Sequence, residues 1–191
     1  YLPGAIDSIL NQNFHSFEII VVDDASSDNT FDVVASYGES IKYYRLDQNL
    51  GAAEAWAFGL AQAKGTYLCK LDADDYQLPG FLDAVFSAFL SDPGIGFVAT
   101  SAFLRHGDLD KVECLVDSDT TLEASAFRER LLYRFFFRMP GTAIRREAIL
   151  NTPPPLTSLY QIHDWEFILR ALQGWKARLI SHPLAIYRIH S

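Results

Sequence analysis

Two aspartates separated by one residue lie where the sequence predicts the end of a buried strand. Asp72 and Asp74 follow the apolar-rich stretch 66–71. Carboxylates crowded at a sheet edge repel each other unless water or a hard cation stabilises them, and Mg²⁺ or Mn²⁺ prefers oxygen ligands. The spacing therefore indicates a divalent cation that also binds diphosphate oxygens, although a solvated acidic turn that caps the next helix explains the same triplet.

Two other sites that begin with closely spaced aspartates can be tested on the sequence alone. An EF-hand calcium loop starting at Asp72 needs glycine at its sixth position and glutamate at its twelfth, where this chain has Gln77 and Asp83. A phosphatase of the haloacid dehalogenase type needs threonine or valine where Tyr76 stands. The sequence therefore excludes the EF-hand and argues against the phosphatase.

Further carboxylates occur at two distant places where elements are predicted to end or begin. Asp24 comes just after the apolar run 17–22, and Asp164 lies at the start of a predicted helix. Each has an ordinary explanation, because Asp24 can cap the helix that begins near Asp28 and the helix dipole favours an aspartate at the position of Asp164. Their meaning depends on where they lie relative to the Asp-x-Asp pair.

The alternation of strand and helix patterns predicts the sheet that positions these carboxylates. Nearly continuous apolar runs are typical of strands buried on both faces, and ligands bind outside the carboxyl ends of such strands. We expect an α/β fold with a mostly parallel central sheet flanked by helices and a hairpin-like insertion in the second half. The predicted strands are 17–22, 41–46, 66–71, 95–104, 112–116 and 176–189, and the predicted helices are 6–10, 31–37, 51–64, 79–90, 122–137 and 165–172.

Composition limits the classes of partner. The 191 residues carry 16 basic and 24 acidic side chains, a net charge of −8, with no cluster of Lys and Arg longer than a pair, which argues against extended nucleic-acid binding. No apolar run approaches the roughly 18 residues of a membrane span. Cys69 and Cys114 are expected to be buried thiols of a soluble protein. Because the chain opens with a helix pattern, we expect a first strand before Tyr1 and a tail after Ser191.

Four segments together resemble the family 2 glycosyltransferases. They are 10–12, 21–30, 49–51 and 65–75, and their order and spacing match the family. Each piece alone is weak, whereas the combination is highly specific. The resemblance implies a GT-A fold, with a Rossmann-like sheet that binds a nucleotide-sugar at its carboxyl edge, in an enzyme that inverts the anomeric centre.

The resemblance also implies a role for each carboxylate. Asp24 would accept a hydrogen bond from the N3–H of a uracil-like base, Asp72 would lie near the ribose and the metal, and Asp74 would be the principal metal ligand. Asp164 would take the proton from the acceptor hydroxyl, because an inverting displacement brings the nucleophile to the face opposite the leaving group. His190, which ends a Tyr-Arg-x-His sequence, would approach the metal or the diphosphate.

Two glycines and three departures from the family pattern complete the predicted site. Gly51 would contact the donor, and Gly141 would lie beneath the donor sugar, where a glycine permits close approach. The departures are Trp56 and Ala57, where relatives carry an Arg-Asn pair, and His163, where relatives carry a glutamate before the base. Polar contacts that the family makes from these positions are therefore lost here or supplied elsewhere.

The expected activity is transfer of a sugar from a UDP-linked donor to a hydroxyl in polysaccharide, glycolipid or glycoconjugate synthesis, with Mn²⁺ or Mg²⁺ on the diphosphate. The acceptor would be a saccharide or a lipid-linked saccharide. Residues 1–191 would form one domain, with a nucleotide-sugar-binding half, 1–92, and an acceptor-side half, 93–191. A cytoplasmic location with peripheral contact at the inner face of the membrane is expected. The alternatives are a sugar-phosphate nucleotidyltransferase and a noncatalytic nucleotide-sugar-binding homologue.

Overall fold

A computed structural model describes residues 1–107, 109–159 and 162–190. The chain alternates helices with strands in its first half and becomes richer in strands after residue 94. The helices are α1 (Leu2–Leu10), α2 (Thr30–Ala35), α3 (Ala52–Gln62), α4 (Phe81–Ser91), α5 (Ala124–Tyr133), α6 (Arg146–Ile149) and α7 (His163–Ala171). The strands are β1 (Ile19–Asp23), β2 (Ile41–Arg45), β3 (Tyr67–Leu68), β4 (Tyr76–Gln77), β5 (Ile95–His106), β6 (Leu109–Glu113), β7 (Thr120–Leu122), β8 (Thr142–Arg145) and β9 (Lys176–Ile189). Two 3₁₀ turns cover Gly38–Ser40 and Met139–Gly141.

The strands form a mixed sheet rather than a mostly parallel one. β1 and β2 pair in parallel as a separate two-stranded sheet, and the larger sheet has the order β3-β8-β5-β9-β4, with β6 on β5 and β7 on β9. In the larger sheet of the described residues, β5 and β9 are parallel and the other pairs are antiparallel. The α/β class with a central sheet flanked by helices is confirmed, and among the described strands two pairs are parallel and five are antiparallel.

The direction of pairing follows from the length of the connections. Parallel neighbours need a crossover of a dozen or more residues, whereas antiparallel neighbours can be joined by a tight turn. β6 begins directly after a turn in which Gly107 has a φ of 63°, so it folds back on β5 as the predicted hairpin. Strands from the two predicted halves also share this sheet, because β3 pairs with β8 and β4 pairs with β9.

The core lies on both faces of β5. Alternate residues of a strand point to opposite faces, and Phe97 belongs to one buried cluster while Val98 belongs to another. On the second face, Phe81, Val85 and Phe89 recur every four residues along α4, so that helix presents one apolar face to the sheet. Burial on both faces explains the continuous apolar pattern of this strand. Among the described residues, no helix has the length and apolarity needed to cross a membrane.

Two strands end earlier than the sequence predicts, and a cysteine follows each of them. Pairing of β3 with β8 stops at Leu68, because the chain then turns into the acidic loop. Cys69 lies just beyond that strand and Cys114 just beyond β6, and both residues are exposed as a whole. The sulfur of Cys69 is nevertheless enclosed, as predicted, and its burial raises the pKa of the thiol to about 12. Helix α5 is likewise shorter than predicted and ends at Tyr133.

Candidate active site

The acidic loop joins the short strands β3 and β4, and its three carboxylates have different partners. The backbone N–H of Asp75 donates to the Asp72 carbonyl at 3.0 Å, which closes a turn. The Asp75 side chain is 1% exposed and accepts the backbone N–H of Arg188 at 2.8 Å, so the loop is anchored to the end of β9. Burial raises the pKa of Asp75 to about 7, and the nearby negative charges of Asp74 and Asp72 act in the same direction.

The carboxylate of Asp74 meets the imidazole of His190. Oδ2 of the aspartate lies 2.6 Å from Nε2 of the histidine, although the residues are 116 positions apart in the sequence. Both side chains keep solvent access, with exposed fractions of 35% and 49%. The Arg188 Nε donates to the Asp74 carbonyl at 3.1 Å, and the Tyr1 ring packs edge-on against the imidazole at 5.5 Å. Two of the three predicted metal ligands are therefore in direct contact.

The third predicted ligand, Asp72, has a different partner. The ammonium of Lys70 donates to both oxygens of this carboxylate, at 2.7 and 2.9 Å, and lies 5.8 Å from the centre of the Trp56 ring. The Lys70 side chain is only 13% exposed. Because an enclosed ammonium needs a counter-charge, the ion pair holds both groups in place. Asp72 therefore presents a neutralised carboxylate to the site.

The contact of Asp74 with His190 fits a divalent cation by its chemistry. A carboxylate oxygen and an imidazole nitrogen are ligands that Mn²⁺ accepts. The carboxylate oxygen and the imidazole nitrogen lie 2.6 Å apart and both side chains have solvent access, so the two would hold one cation together. In the described part of the chain, no group of three or more His, Cys, Asp or Glu residues is arranged to hold a metal. The other ligand positions would therefore belong to water and to a bound substrate.

Asp24 joins the end of β1 to the turn before α3. Its two carboxylate oxygens accept the backbone N–H groups of Leu50 and Gly51, each at 2.7 Å. Gly51 has a φ of 90°, which a glycine adopts without strain. Asp24 and Gly51, both predicted to contact the donor, are therefore joined by a direct hydrogen bond. This aspartate stabilises the turn before α3 rather than capping α2, as the sequence also allowed.

The turn that contains Asp24 has an imposed backbone conformation. Ala25 has a φ of 59°, in the left-handed region that costs a residue with a side chain about 1 kcal/mol. Such strain persists only where the surroundings enforce it. Here the buried Asp23 accepts the N–H of Ser26 at 2.8 Å, and Arg45 donates to the Ser26 carbonyl at 2.8 Å. These bonds keep the turn rigid beside the candidate nucleotide contact.

Asp164 lies in the first turn of α7. Its Oδ1 accepts the N–H of Trp165 at 3.0 Å, and among the described residues no hydrogen bond is made to its other oxygen. The helix start is connected to the acidic loop through Trp56, whose ring centre lies 6.2 Å from that of His163 and 5.8 Å from the Lys70 ammonium. One indole therefore contacts both the neighbour of the predicted base and the cation that holds the acidic loop.

Gly141 is required by internal packing. A Cβ at this position would lie 2.8 Å from Oγ1 of Thr100 and 3.4 Å from Cβ of Ala185, with the Thr100 carbonyl at 3.2 Å. These approaches are too close for any larger residue without movement of the backbone. The close approach that this glycine permits is thus one within the protein, and its contact with a donor sugar stays a prediction.

Sequence reasoning assigned no role to Lys70, Trp56 or Arg188. Lys70 carried a usable signal, because a lone cation inside an apolar run just before a row of aspartates has an obvious counter-charge. Trp56 was noted only as a departure from the family. Arg188 stands in the Tyr-Arg-x-His sequence, and only the pairing of β4 with β9 brings its backbone to the acidic loop.

Comparison with known proteins identifies the family. The model of glycosyl transferase family 2 matches residues 1–152, most of the chain. The chain belongs to glycosyltransferase family 2. An uncharacterised glycosyltransferase of Haemophilus influenzae is 28% identical to it over an alignment of 195 positions that covers all of this chain and 64% of the relative. This family 2 chain therefore spans less than two thirds of the length of that relative. The match to the family model confirms the resemblance seen in the sequence.

Solved structures confirm the GT-A fold of this family 2 chain. S. aureus TarS in complex with UDP superimposes with a TM-score of 0.82 at 21% identity, over 99% of this chain and 56% of that one. GalNAc-T7, solved with UDP, GalNAc and Mn²⁺, superimposes with a TM-score of 0.71 at 16% identity, over 97% of this chain and 40% of that one. At these identities, the likeness establishes the shared fold.

Proposed function

We propose that this family 2 glycosyltransferase moves a sugar from a UDP-sugar to a hydroxyl acceptor with inversion, assisted by a divalent cation. The observation that carries the proposal is the 2.6 Å contact between Asp74 and His190 at the edge of the sheet. A carboxylate and an imidazole with solvent access, beside further carboxylates, suit a cation that carries a diphosphate. UDP in TarS, and UDP with Mn²⁺ in GalNAc-T7, support the same donor chemistry on this fold.

Asp74 and His190 would hold the cation, which is Mn²⁺ or Mg²⁺ in this proposal. When bound, the ion would neutralise charge on the departing diphosphate and so assist the leaving group. Lys70 acts independently of the ion, since its ammonium orients Asp72 and keeps a fixed positive charge beside the acidic loop. Asp72 would then face the ribose from a preset position.

The nucleotide base would lie at the turn after β1. Asp24 uses each of its oxygens once, for Leu50 and for Gly51. A carboxylate oxygen has two lone pairs, so one more donor can be accepted without breaking the turn. The N3–H of uracil is such a donor, which supports UDP as the nucleotide.

Asp164 would act as the general base. One of its oxygens is held by the Trp165 N–H, which orients the carboxylate, and the other is available for the proton of an acceptor hydroxyl. The acceptor-side half, 93–191, would bind a saccharide or a lipid-linked saccharide for polysaccharide, glycolipid or glycoconjugate synthesis.

The substitution Asp164→Asn tests the assignment. The amide has the same shape but cannot take the proton, so we expect transfer to fall about 10²- to 10⁴-fold. Binding of UDP in the presence of Mn²⁺, measured by calorimetry, should not change. Asp83→Asn is the matched control, because Asp83 is an exposed carboxylate in the first turn of another helix, α4.

Each outcome separates this proposal from its alternatives. Undiminished transfer by the Asn variant would show that Asp164 is not the base. Donor binding by the unaltered protein without hydrolysis or transfer to any acceptor would favour a noncatalytic homologue. Release of pyrophosphate from a nucleoside triphosphate and a sugar phosphate would favour a nucleotidyltransferase, which family membership argues against.

A further inference from the structure

Helix α5 and the residues after it carry a charge opposite in sign to that of the chain. Residues 128–138 contain four arginines and one glutamate, a local net charge of +3, whereas the whole chain has a net charge of −8. A basic segment in an acidic protein sets up a local positive potential that attracts anions. The partner of this segment is therefore expected to be anionic.

Three arginines of this segment make no ion pair with a carboxylate of the described residues. Arg128, Arg130 and Arg134 are exposed, and among the described residues no carboxylate lies within ion-pair distance of any of them. Five other arginines are paired with an aspartate or a glutamate, namely Arg45, Arg105, Arg138, Arg170 and Arg178. The remaining three, Arg145, Arg146 and Arg188, are half-buried rather than exposed. Arg128 donates one N–H to the Leu169 carbonyl at 3.4 Å, and each of the three exposed guanidinium groups keeps further N–H groups for an external anion.

Apolar side chains are exposed between these arginines. Leu132 and Tyr133 are 55% and 84% exposed at the end of the helix. The guanidinium of Arg130 lies 4.6 Å from the centre of the Phe136 ring, so an aromatic ring supports it at the surface. Arg130 and Arg134 line a cavity of about 370 Å³ together with Glu129, Tyr133 and Phe136, so two basic side chains face one acidic side chain there. We call the set Arg128, Arg130, Leu132, Tyr133 and Arg134 the α5 surface.

We propose that the α5 surface docks on an anionic lipid bilayer. Guanidinium groups pair with lipid phosphates at the membrane surface, while leucine and tyrosine side chains enter the interface between headgroups and acyl chains. A helix of 10 residues lies on a membrane and does not cross it. Nucleic acid is the poorer partner, because the rest of this acidic chain would repel a polyanion beyond three contacts.

Docking would bring the candidate base to the membrane surface. The indole N–H of Trp165, the residue after Asp164, donates to the Leu131 carbonyl at 2.7 Å, so the end of α5 is tied to the start of α7. A lipid-linked acceptor would then present its hydroxyl close to α7. This last step rests on the proposed function, whereas the docking itself does not.

Flotation of the full-length protein with vesicles tests the docking. We expect binding to vesicles of phosphatidylcholine mixed with phosphatidylglycerol, weaker binding at high salt, and little binding to phosphatidylcholine alone. R130Q/R134Q should weaken binding to the mixed vesicles about 30-fold, since each basic side chain contributes about fivefold. L132S/Y133S should also weaken it without a change in charge.

The matched control is K64Q/K111Q, which removes the same charge from two exposed lysines elsewhere on the surface. It should bind the mixed vesicles as the unaltered protein does. Equal weakening by this control, or the absence of any preference for anionic vesicles, would overturn the proposal. So would a stable dimer that R130Q/R134Q converts to a monomer, because the α5 surface would then join two copies. Binding of UDP with Mn²⁺ should be the same in all variants, so failure of docking and failure of the proposed function are distinguishable.

Discussion

Asp75 offers the sharpest test of the electrostatics of the acidic loop. Its carboxylate is buried, and Oδ2 has no hydrogen-bond partner among the described residues, while Oδ1 accepts the Arg188 N–H. The substitution Asp75→Asn keeps that acceptor and removes the titration. The measurement is the free energy of unfolding across a pH series, with the protein free of metal.

The magnitude and the sign of the change in unfolding free energy with pH follow from the pKa of this carboxyl. Burial raises the pKa of Asp75 from 3.8 to about 7, so between these values the folded state binds more protons than the unfolded state. The contribution of the protonated Asp75 carboxyl to the free energy of unfolding is complete below pH 3.8, is lost progressively as the pH rises, and is gone above about pH 7. A difference of about 3 in pKa corresponds to about 4 kcal/mol, so the protein should lose up to about 4 kcal/mol relative to the Asn variant across this window.

Denaturant titrations in EDTA at several pH values between 5 and 8 provide the assay. The two stability curves should converge as the pH falls, because the protonated carboxyl of Asp75 and the amide of the Asn variant are both uncharged and both bury an unpaired donor at this position. The stability curve of the control variant Asp83→Asn, at an exposed aspartate, should run parallel to that of the unaltered protein. Parallel curves for Asp75→Asn and the unaltered protein would refute the reasoning, since the buried carboxyl would then titrate as it does in the unfolded chain.

Three further substitutions test packing, metal binding and positioning. Gly141→Ala should lower the free energy of unfolding by about 1 to 3 kcal/mol, because its Cβ would clash with Thr100; unchanged denaturation would contradict this. His190→Ala should raise the Mn²⁺ concentration that half-saturates UDP binding about 10-fold or more, with metal-independent stability unaltered. Trp56→Leu should lower kcat more than it raises KM, whereas Phe58→Leu on the same helix should not; equal effects would leave Trp56 a packing residue.

Sequence patterns predicted the elements whose signals are local. Strand β9 has the predicted bounds, 176–189, and its buried residues are 177, 179–180 and 184–186. Helix α3 lies within the predicted 51–64 and begins directly after Gly51. Pairing direction was predicted less well, since it depends on which strands become neighbours, and that choice involves contacts between distant residues.

In the candidate site, too, the residue types were predictable from local sequence, whereas their contacts were not. The residue types that suit a cation and a diphosphate are evident from Asp72, Asp74 and His190, but their distribution among partners is not. Asp72 pairs with Lys70, two positions away, and Asp74 pairs with His190 from the other end of the chain. Counting carboxylates therefore overestimates the number of free ligands, because a neighbouring cation can neutralise one of them.

The sequence by itself determined the family, the α/β class and the chemical types at the candidate site, because short motifs and apolar periodicity are properties of neighbouring residues. Only the tertiary structure decided that His190 meets Asp74. The antiparallel pairing of Tyr76 with Ile186 sets the register of β4 against β9, and this register brings the end of β9 alongside the acidic loop. A slip of one residue would turn the side chains of β9 to the opposite face. That register depends on the packing of the whole sheet, which no local pattern contains.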